Sequence, residues 1–327
     1  MNQPDPSWGG SPVSRPPLDD IESAAERIEA VAFRTPTVPY LGEASDILLK
    51  LETLQPIGSF KLRGVYNWAA RLSATDRERG ICTTSAGNTA QALGYTARHF
   101  GIPSKTLLPE TVPDAKLDAI TAYGVEPVKV TVEKLFGYML DEEWRQEDLC
   151  YLNPWGEPAM IAGSGTVGLE ILQDHTVDTV FVAVGGGGLA AGVGSAVKSI
   201  NPSVRVLGVQ PEGCPALKES FDRNEGSWVS ATGETICDGT KVPLIVKEMY
   251  PLLREVVDDV VIVPEARVHQ AMHGLALKNK VVSEGSGALA LAGALHVAPE
   301  ERGRSACVVS GGSVDPALFA RIIQAAD

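Results

Sequence analysis

Apolar and polar positions along this chain follow two rhythms that take turns. Ile21, Ala24, Ala25 and Ile28 recur at helical spacing, which predicts a first helix capped by Asp19 or Asp20 and ended by Arg34-Thr35-Pro36. Residues 47–52 then predict a strand and 63–72 a helix. Further strands are expected at 80–84, 104–109 and 125–132, alternating with helices at 88–100, 115–123 and 135–147. The alternation restarts beyond Asn153-Pro154-Trp155, with strands at 179–184, 204–210, 256–263 and 306–309. Helices are expected there at 165–172, 189–199, 268–280, 287–296 and 316–326. Thr179-Val180-Phe181-Val182-Ala183-Val184 is apolar on both faces, as in a strand buried within a parallel sheet. Strands alternating with helices through short loops predict an α/β fold whose parallel sheets are covered on both sides, and two such series suggest two domains.

Composition narrows the function without naming it. The 327 residues, 44% hydrophobic, suffice for one large core or two closely packed ones. A formal charge of −13, from 28 basic and 41 acidic residues, repels nucleic acid and anionic membrane surfaces but suits a small zwitterionic ligand. Cys82, Cys150, Cys214, Cys237 and Cys307 are scattered and odd in number, which argues against disulfides or a zinc site. Residues 1–17 are rich in Gly, Ser and Pro without an apolar run, so they read as a flexible lead rather than a signal peptide. A cytoplasmic location follows by default.

Four stretches carry the chemistry. In Ile57-Gly58-Ser59-Phe60-Lys61-Leu62-Arg63-Gly64, Lys61 stands between an aromatic and an apolar residue, where burial would depress its pKa towards a nucleophilic, imine-forming amine. Taken alone it would be a surface lysine opening a helix. Gly185-Gly186-Gly187-Gly188-Leu189 follows the apolar strand and precedes a helix, so backbone amides and the helix N-terminus converge on a phosphate-sized point. The same run satisfies the dinucleotide fingerprint through Gly185, Gly187 and Ala190. Against a dinucleotide, the next strand closes on Gln210 where an acid would hold the ribose, and Lys61 would be left without a role. Ser85-Ala86-Gly87-Asn88-Thr89 opens another helix, so its amides and hydroxyls can receive a carboxylate. Asn88 taken alone could equally be an N-cap. Ser310-Gly311-Gly312-Ser313 closes the set.

In order and spacing these motifs resemble the threonine dehydratase and serine racemase group of fold type II pyridoxal-phosphate enzymes. The likeness runs from about Leu18 to the C-terminus. It implies a tryptophan synthase β-subunit-like fold of two parallel-sheet domains. The large cofactor domain would take residues 18–72 and 152–327, and a small mobile domain, 73–151, would be inserted within it. It implies pyridoxal 5'-phosphate bound through Lys61, with Phe60 beside the ring and Asn88 on its hydroxyl. The phosphate would rest on Gly185, Gly186, Gly187, Gly188 and Leu189. Gly239 would let the ring approach the backbone, and Ser310 would face the pyridine nitrogen. A neutral hydroxyl there makes the ring a weaker electron sink, which suits expulsion of a β-leaving group better than transamination. The substrate carboxylate would lie on Ser85, Ala86, Gly87, Asn88 and Thr89.

Racemases of this group carry a serine opposite the lysine, where Ala86 stands here, and dehydratases commonly have alanine. The resemblance therefore implies an ammonia-lyase that converts threonine, serine or 3-hydroxyaspartate to a 2-oxo acid and ammonia, with the leaving hydroxyl protonated from the cofactor phosphate. Alternatives are β- or γ-replacement, as in cysteine synthase or threonine synthase, and racemisation. A homodimer is implied as well. Several family features differ. The cation pattern of the racemases is replaced by Gln210, Cys214 and Ala216, so no metal is expected. The usual histidine after the asparagine is Thr89, Asn153-Pro154-Trp155 replaces a His-Pro pair, and Ser313 stands where asparagine is common. The changes at Thr89 and at Asn153-Pro154-Trp155 allow a substrate bulkier or more polar than threonine. Glu284 falls where the family places a pocket acid.

Overall fold

A computed structural model describes residues 5–44 and 46–324. Its strands, in chain order, are β1 Thr37–Pro39, β2 Ile47–Leu51, β3 Ile81–Thr84, β4 Ser104–Pro109, β5 Glu126–Val130, β6 Cys150–Leu152, β7 Thr179–Ala183, β8 Arg205–Pro211, β9 Asp259–Val263 and β10 Ser305–Val309. They form a six-stranded sheet in the order β1-β2-β10-β7-β8-β9 and a four-stranded sheet in the order β5-β4-β3-β6. Every pairing is parallel except that of β1 with β2. The second sheet is built wholly from residues 81–152, between β2 and β7 of the first.

The alternation of side chains in the large sheet divides its core. Leu48, Val180, Val182 and Val308 face one side, with helices Pro158–Asp174 and Gly188–Ile200. Ile47, Leu49, Phe181, Ala183 and Cys307 face the other, against helices Glu265–Gly274 and Gly285–His296.

Most expected elements stand within a few residues of their predicted limits, and 88–100 and 104–109 coincide with theirs. Differences have physical causes. The first helix runs Leu18–Ile28 with Pro17 as N-cap, and Asp19 and Asp20 lie in its first turn, where they favour the dipole without capping it. The expected helix over 135–147 starts earlier, at Val132, because Thr131 accepts from the Lys134 amide as an N-cap. It stops at Leu140, and Glu142 with φ 54° starts a separate 3-10 turn. The 256–263 strand is instead the end of helix Tyr250–Val256 followed by β9. The last helix is described over Pro316–Gln324, and the rest of its expected span lies outside the described residues.

Residues 5–17 form no helix or strand but lie along the body. The Val13 amide donates to Glu248 O at 2.9 Å and the Lys247 amide to Pro6 O at 2.8 Å. The indole of Trp8 covers Gly156 so closely that a Cβ there would lie 2.3 Å from it.

The helix that begins with Lys61, Lys61–Arg71, is fixed in two ways. One is close main-chain packing. A Cβ on Gly163 would come 2.6 Å from Arg63 O, and one on Gly192 would come 2.4 Å from Ile161 O. Helix Pro158–Asp174 is thus held at backbone contact with both the lysine helix and the helix after the glycine loop. The other is a buried charge quartet. Arg63 pairs with Glu52 at 2.7 Å and Glu170 at 2.6 Å, and Lys50 pairs with Glu170 at 2.5 Å. Thr35 Oγ1 donates to Glu52, and Thr166 Oγ1 accepts from Arg63. Burial alone would raise the Glu52 carboxyl and lower the Arg63 guanidinium, but their mutual attraction wins, so Glu52 lies below and Arg63 above its usual range. Two cations balance two anions, and removing one strands a buried charge. Arg63→Met is therefore expected to cost about 3–5 kcal/mol in urea unfolding, whereas a loss below about 1 kcal/mol would place the quartet with weak surface pairs.

Candidate active site

The four motifs of the sequence sit at the carboxyl ends of parallel strands, where α/β sheets form their crevices. β7 runs into the glycine loop, β10 into Ser310, β3 into residues 85–89, and β2 into the turn that starts the lysine helix. A backbone ladder brings two of them together. Phe60 N–H donates to Ser310 O at 3.0 Å, Gly312 N–H donates to Gly58 O at 2.9 Å, and Ser59 bridges Gly311 in antiparallel fashion.

A cavity of about 400 Å³ opens between the two sheets and is lined by the residues expected to hold cofactor and carboxylate, though not by Asn153, Gln210, Gly311 or Gly312. Phe60, Lys61, Asn88, Gly185 to Gly188, Leu189, Gly239 and Ser310 all border it, as do Ser85, Ala86, Gly87 and Thr89.

Lys61 is the first residue of its helix, and its Nζ lies 5.1 Å from the centroid of the Phe60 ring. Among the described residues no ion pair or hydrogen bond reaches that amine. Burial pulls it down to about 8, with the charge of Glu284 acting in the opposite sense. Burial pushes Glu284 up to about 7, against the hydrogen bond from Asn88. Asn88 is not an N-cap, because Gly87 holds that position. Its side chain spans the cleft instead, donating to Glu284 Oε1 at 2.8 Å and accepting from Ser313 Oγ at 2.7 Å. Ser310 Oγ has only a 3.5 Å contact with Ser286 O, too long to commit its proton.

The glycine loop has the shape of an anion cradle. Gly187 has φ 98°, a conformation that favours glycine, and Gly188 begins a helix of 13 residues. A Cβ on Gly186 would lie 2.6 Å from Trp155, so a side chain there would displace the indole. A Cβ on Gly239 would come 3.2 Å from Ser286 Oγ and 3.8 Å from Glu284 Oε1, inside the cavity wall. These features fit a phosphate held by main-chain amides and a flat ring beside Gly239. No group of three or more His, Cys, Asp and Glu among the described residues is placed to hold a metal.

Sequence reasoning missed part of the lining. Lys116, of helix Asp114–Thr121, pairs across the cleft with Asp238 at 2.9 Å. Leu135, Phe136, Met139, Lys241 and Val242 also border the cavity. Asp238 and Lys241 adjoin Gly239 and could have been suspected, but nothing local to Lys116 or Phe136 signals their position.

A lysine at a helix head, sharing a cavity with a glycine loop between two largely parallel sheets, is the arrangement of the fold type II pyridoxal-phosphate class. A family model described as "Pyridoxal-phosphate dependent enzyme" matches residues 28–311, and the chain belongs to that family. It is 37% identical over 320 residues to "L-threonine dehydratase catabolic TdcB" of Escherichia coli (strain K12), covering 93% of this chain and 95% of the relative. It is 36% identical over 318 residues to "L-threonine ammonia-lyase" of Thermotoga maritima, covering 94% and 78%. Among solved structures, maize serine racemase superposes with a TM-score of 0.87 at 30% identity, covering 94% of this chain and 97% of that one. The sequence reading of fold, family and cofactor stands on these findings.

Lys61 in cofactor-free protein is expected to react with an amine reagent along a pH profile whose midpoint is near 8, read by mass spectrometry of its peptide. The Glu284 carboxylate holds the amine up, so Glu284→Gln should move that midpoint lower. A midpoint near the ordinary lysine value of about 10.4 would remove the case for an activated amine.

Proposed function

We propose that the protein is a pyridoxal-phosphate-dependent ammonia-lyase that dehydrates a β-hydroxy amino acid to a 2-oxo acid and ammonia. The observation that carries this reading is that Lys61 and Ala86 border the same cavity. One supplies an amine whose pKa is brought to about 8, and the other supplies no proton at all. Proton traffic at the α-carbon is then confined to a single base.

Phe60, Asn88, the Gly185–Leu189 loop, Gly239 and Ser310 would hold the cofactor, and Lys61 would anchor it. When bound, pyridoxal phosphate supplies the electron sink that acidifies the hydrogen on the α-carbon. The chain does the rest. Amides and hydroxyls of Ser85 to Thr89, at the head of a 13-residue helix, receive the α-carboxylate and orient the substrate. Lys61 Nζ, once free, takes the α-proton. Glu284 keeps Asn88 aimed into the cavity through their 2.8 Å bond. The hydroxyl leaves as water, water later returns to release ammonia, and the net products are one 2-oxo acid and one ammonium ion. Curated relatives named as threonine dehydratase and threonine ammonia-lyase support this reading. It extends to a homodimer, which light scattering tests, to a cytoplasmic setting, and to a domain over residues 73–151 that moves against the rest.

Purified holoenzyme should form 2-oxo acid and ammonia from at least one β-hydroxy amino acid, and Lys61→Ala should lose on the order of a thousandfold or more. Silence across L-threonine, L-serine, 3-hydroxyaspartate and 3-phenylserine would sink the proposal. Ala86→Ser places a hydroxyl across from Lys61 and is expected to add interconversion of L- and D-serine, read by chiral chromatography.

A further inference from the structure

One stretch of the cavity wall has no role in holding cofactor or carboxylate, and it is apolar. Helix Val132–Leu140 presents Leu135, Phe136 and Met139 to the cavity, and Trp155 and Val242 meet them from the large-sheet side. The Phe136 ring lies 6.4 Å from that of Trp155 and 5.3 Å from that of Trp228. This wall adjoins the glycine loop. A Cβ on Gly186 would touch Trp155 at 2.6 Å, and one on Gly185 would touch Val242 at 3.3 Å. Leu135, Phe136 and Trp155 remain only half-buried, so they keep apolar surface that a ligand can cover.

The charged groups of the cavity are mostly committed elsewhere. Lys116 and Asp238 neutralise each other at 2.9 Å, Glu284 accepts from Asn88, and Lys61 carries the chemistry. Lys241 is the remaining cation of the lining. A second charge on the substrate, brought against the Phe136 and Trp155 wall, would lose its water without gaining a partner there.

We propose that the substrate is a β-hydroxy amino acid whose β-carbon bears a bulky apolar group, an aromatic ring above all, seated among Leu135, Phe136, Met139, Trp155 and Val242. This rests on the ammonia-lyase reading, in which the α-carboxylate goes to residues 85–89 and the leaving hydroxyl takes its proton from the phosphate on the glycine loop, which turns the β-carbon towards that loop and the wall beside it. A methyl group would leave the wall wet, whereas a ring would cover it and stack against aromatic neighbours.

The test compares kcat/KM of holoenzyme for threo-3-phenylserine, L-threonine and 3-hydroxyaspartate. Phenylserine should lead by on the order of tenfold or more, and Phe136→Ala and Leu135→Ala should each shrink that lead. A preference for 3-hydroxyaspartate would overturn the proposal and point to Lys241 as the partner of an anionic side chain. A preference for threonine would overturn it as well. Equilibrium dialysis of holoenzyme with L-phenylalanine, L-alanine and L-aspartate, none of which has a hydroxyl to lose, decides the wall independently of turnover. Tighter binding of L-phenylalanine establishes the wall as a seat for an apolar side chain; if every hydroxy amino acid is nevertheless inert, the ammonia-lyase reading falls and the β-hydroxy part of the proposal with it. Equal or weaker binding than L-alanine or L-aspartate refutes it.

Discussion

The guanidinium of Arg63, held between Glu52 and Glu170, is the interaction on which the site depends. It lies two residues beyond Lys61, in the first turn of the helix, and ties that turn to the end of β2 and to the middle of helix Pro158–Asp174. Burying four charges adds little net stability, because desolvation offsets most of the Coulomb gain. What the quartet contributes is position. An apolar cluster of equal volume would tolerate several packings, whereas Arg63 has fixed directions for its bonds and satisfies them in one arrangement. The start of the lysine helix therefore cannot rotate without breaking several charge-assisted bonds at once.

Around that fixed amine, the fold assembles groups that shift one another. Lys61 and Glu284 both suffer from burial, one drawn down to about 8 and the other up to about 7. Near neutrality each is close to changing charge. Asn88 and Ser313 complete a chain of polar contacts from one sheet to the other, ending on Glu284. The loop at 85–89 is thus hydrogen-bonded to Glu284, whose charge in turn acts on Lys61.

Much of this was legible in the sequence because it is local. A glycine loop between an apolar strand and a helix declares itself within ten residues, and the Asn88–Phe100 helix follows from its own composition and its Gly101 stop. β1 and β6 were not seen, since strands of three residues are too short to show alternation. Lys50 illustrates a different limit. Its place in Ile47–Leu51 suggests an exposed position, yet the strand is buried at all five residues because Glu170, 120 positions later, supplies the counter-charge. The Lys116 to Asp238 pair and the Phe136 wall are likewise products of tertiary folding. Asn88 borders the cavity, although its own neighbours argue equally for a cap. Gly87 takes the cap position, and the partners of the Asn88 side chain, Glu284 and Ser313, are distant in sequence.

The close approach of three helices at Gly163 and Gly192 has a final consequence. The span from the amine to the anion cradle is set by thicknesses of main chain stacked without side chains between them, like gauge blocks wrung together. Such a stack has no soft layer to absorb an error. A single added methyl would pass straight into a shift between the lysine helix and the glycine loop, so their spacing is written into residues outside the cavity lining.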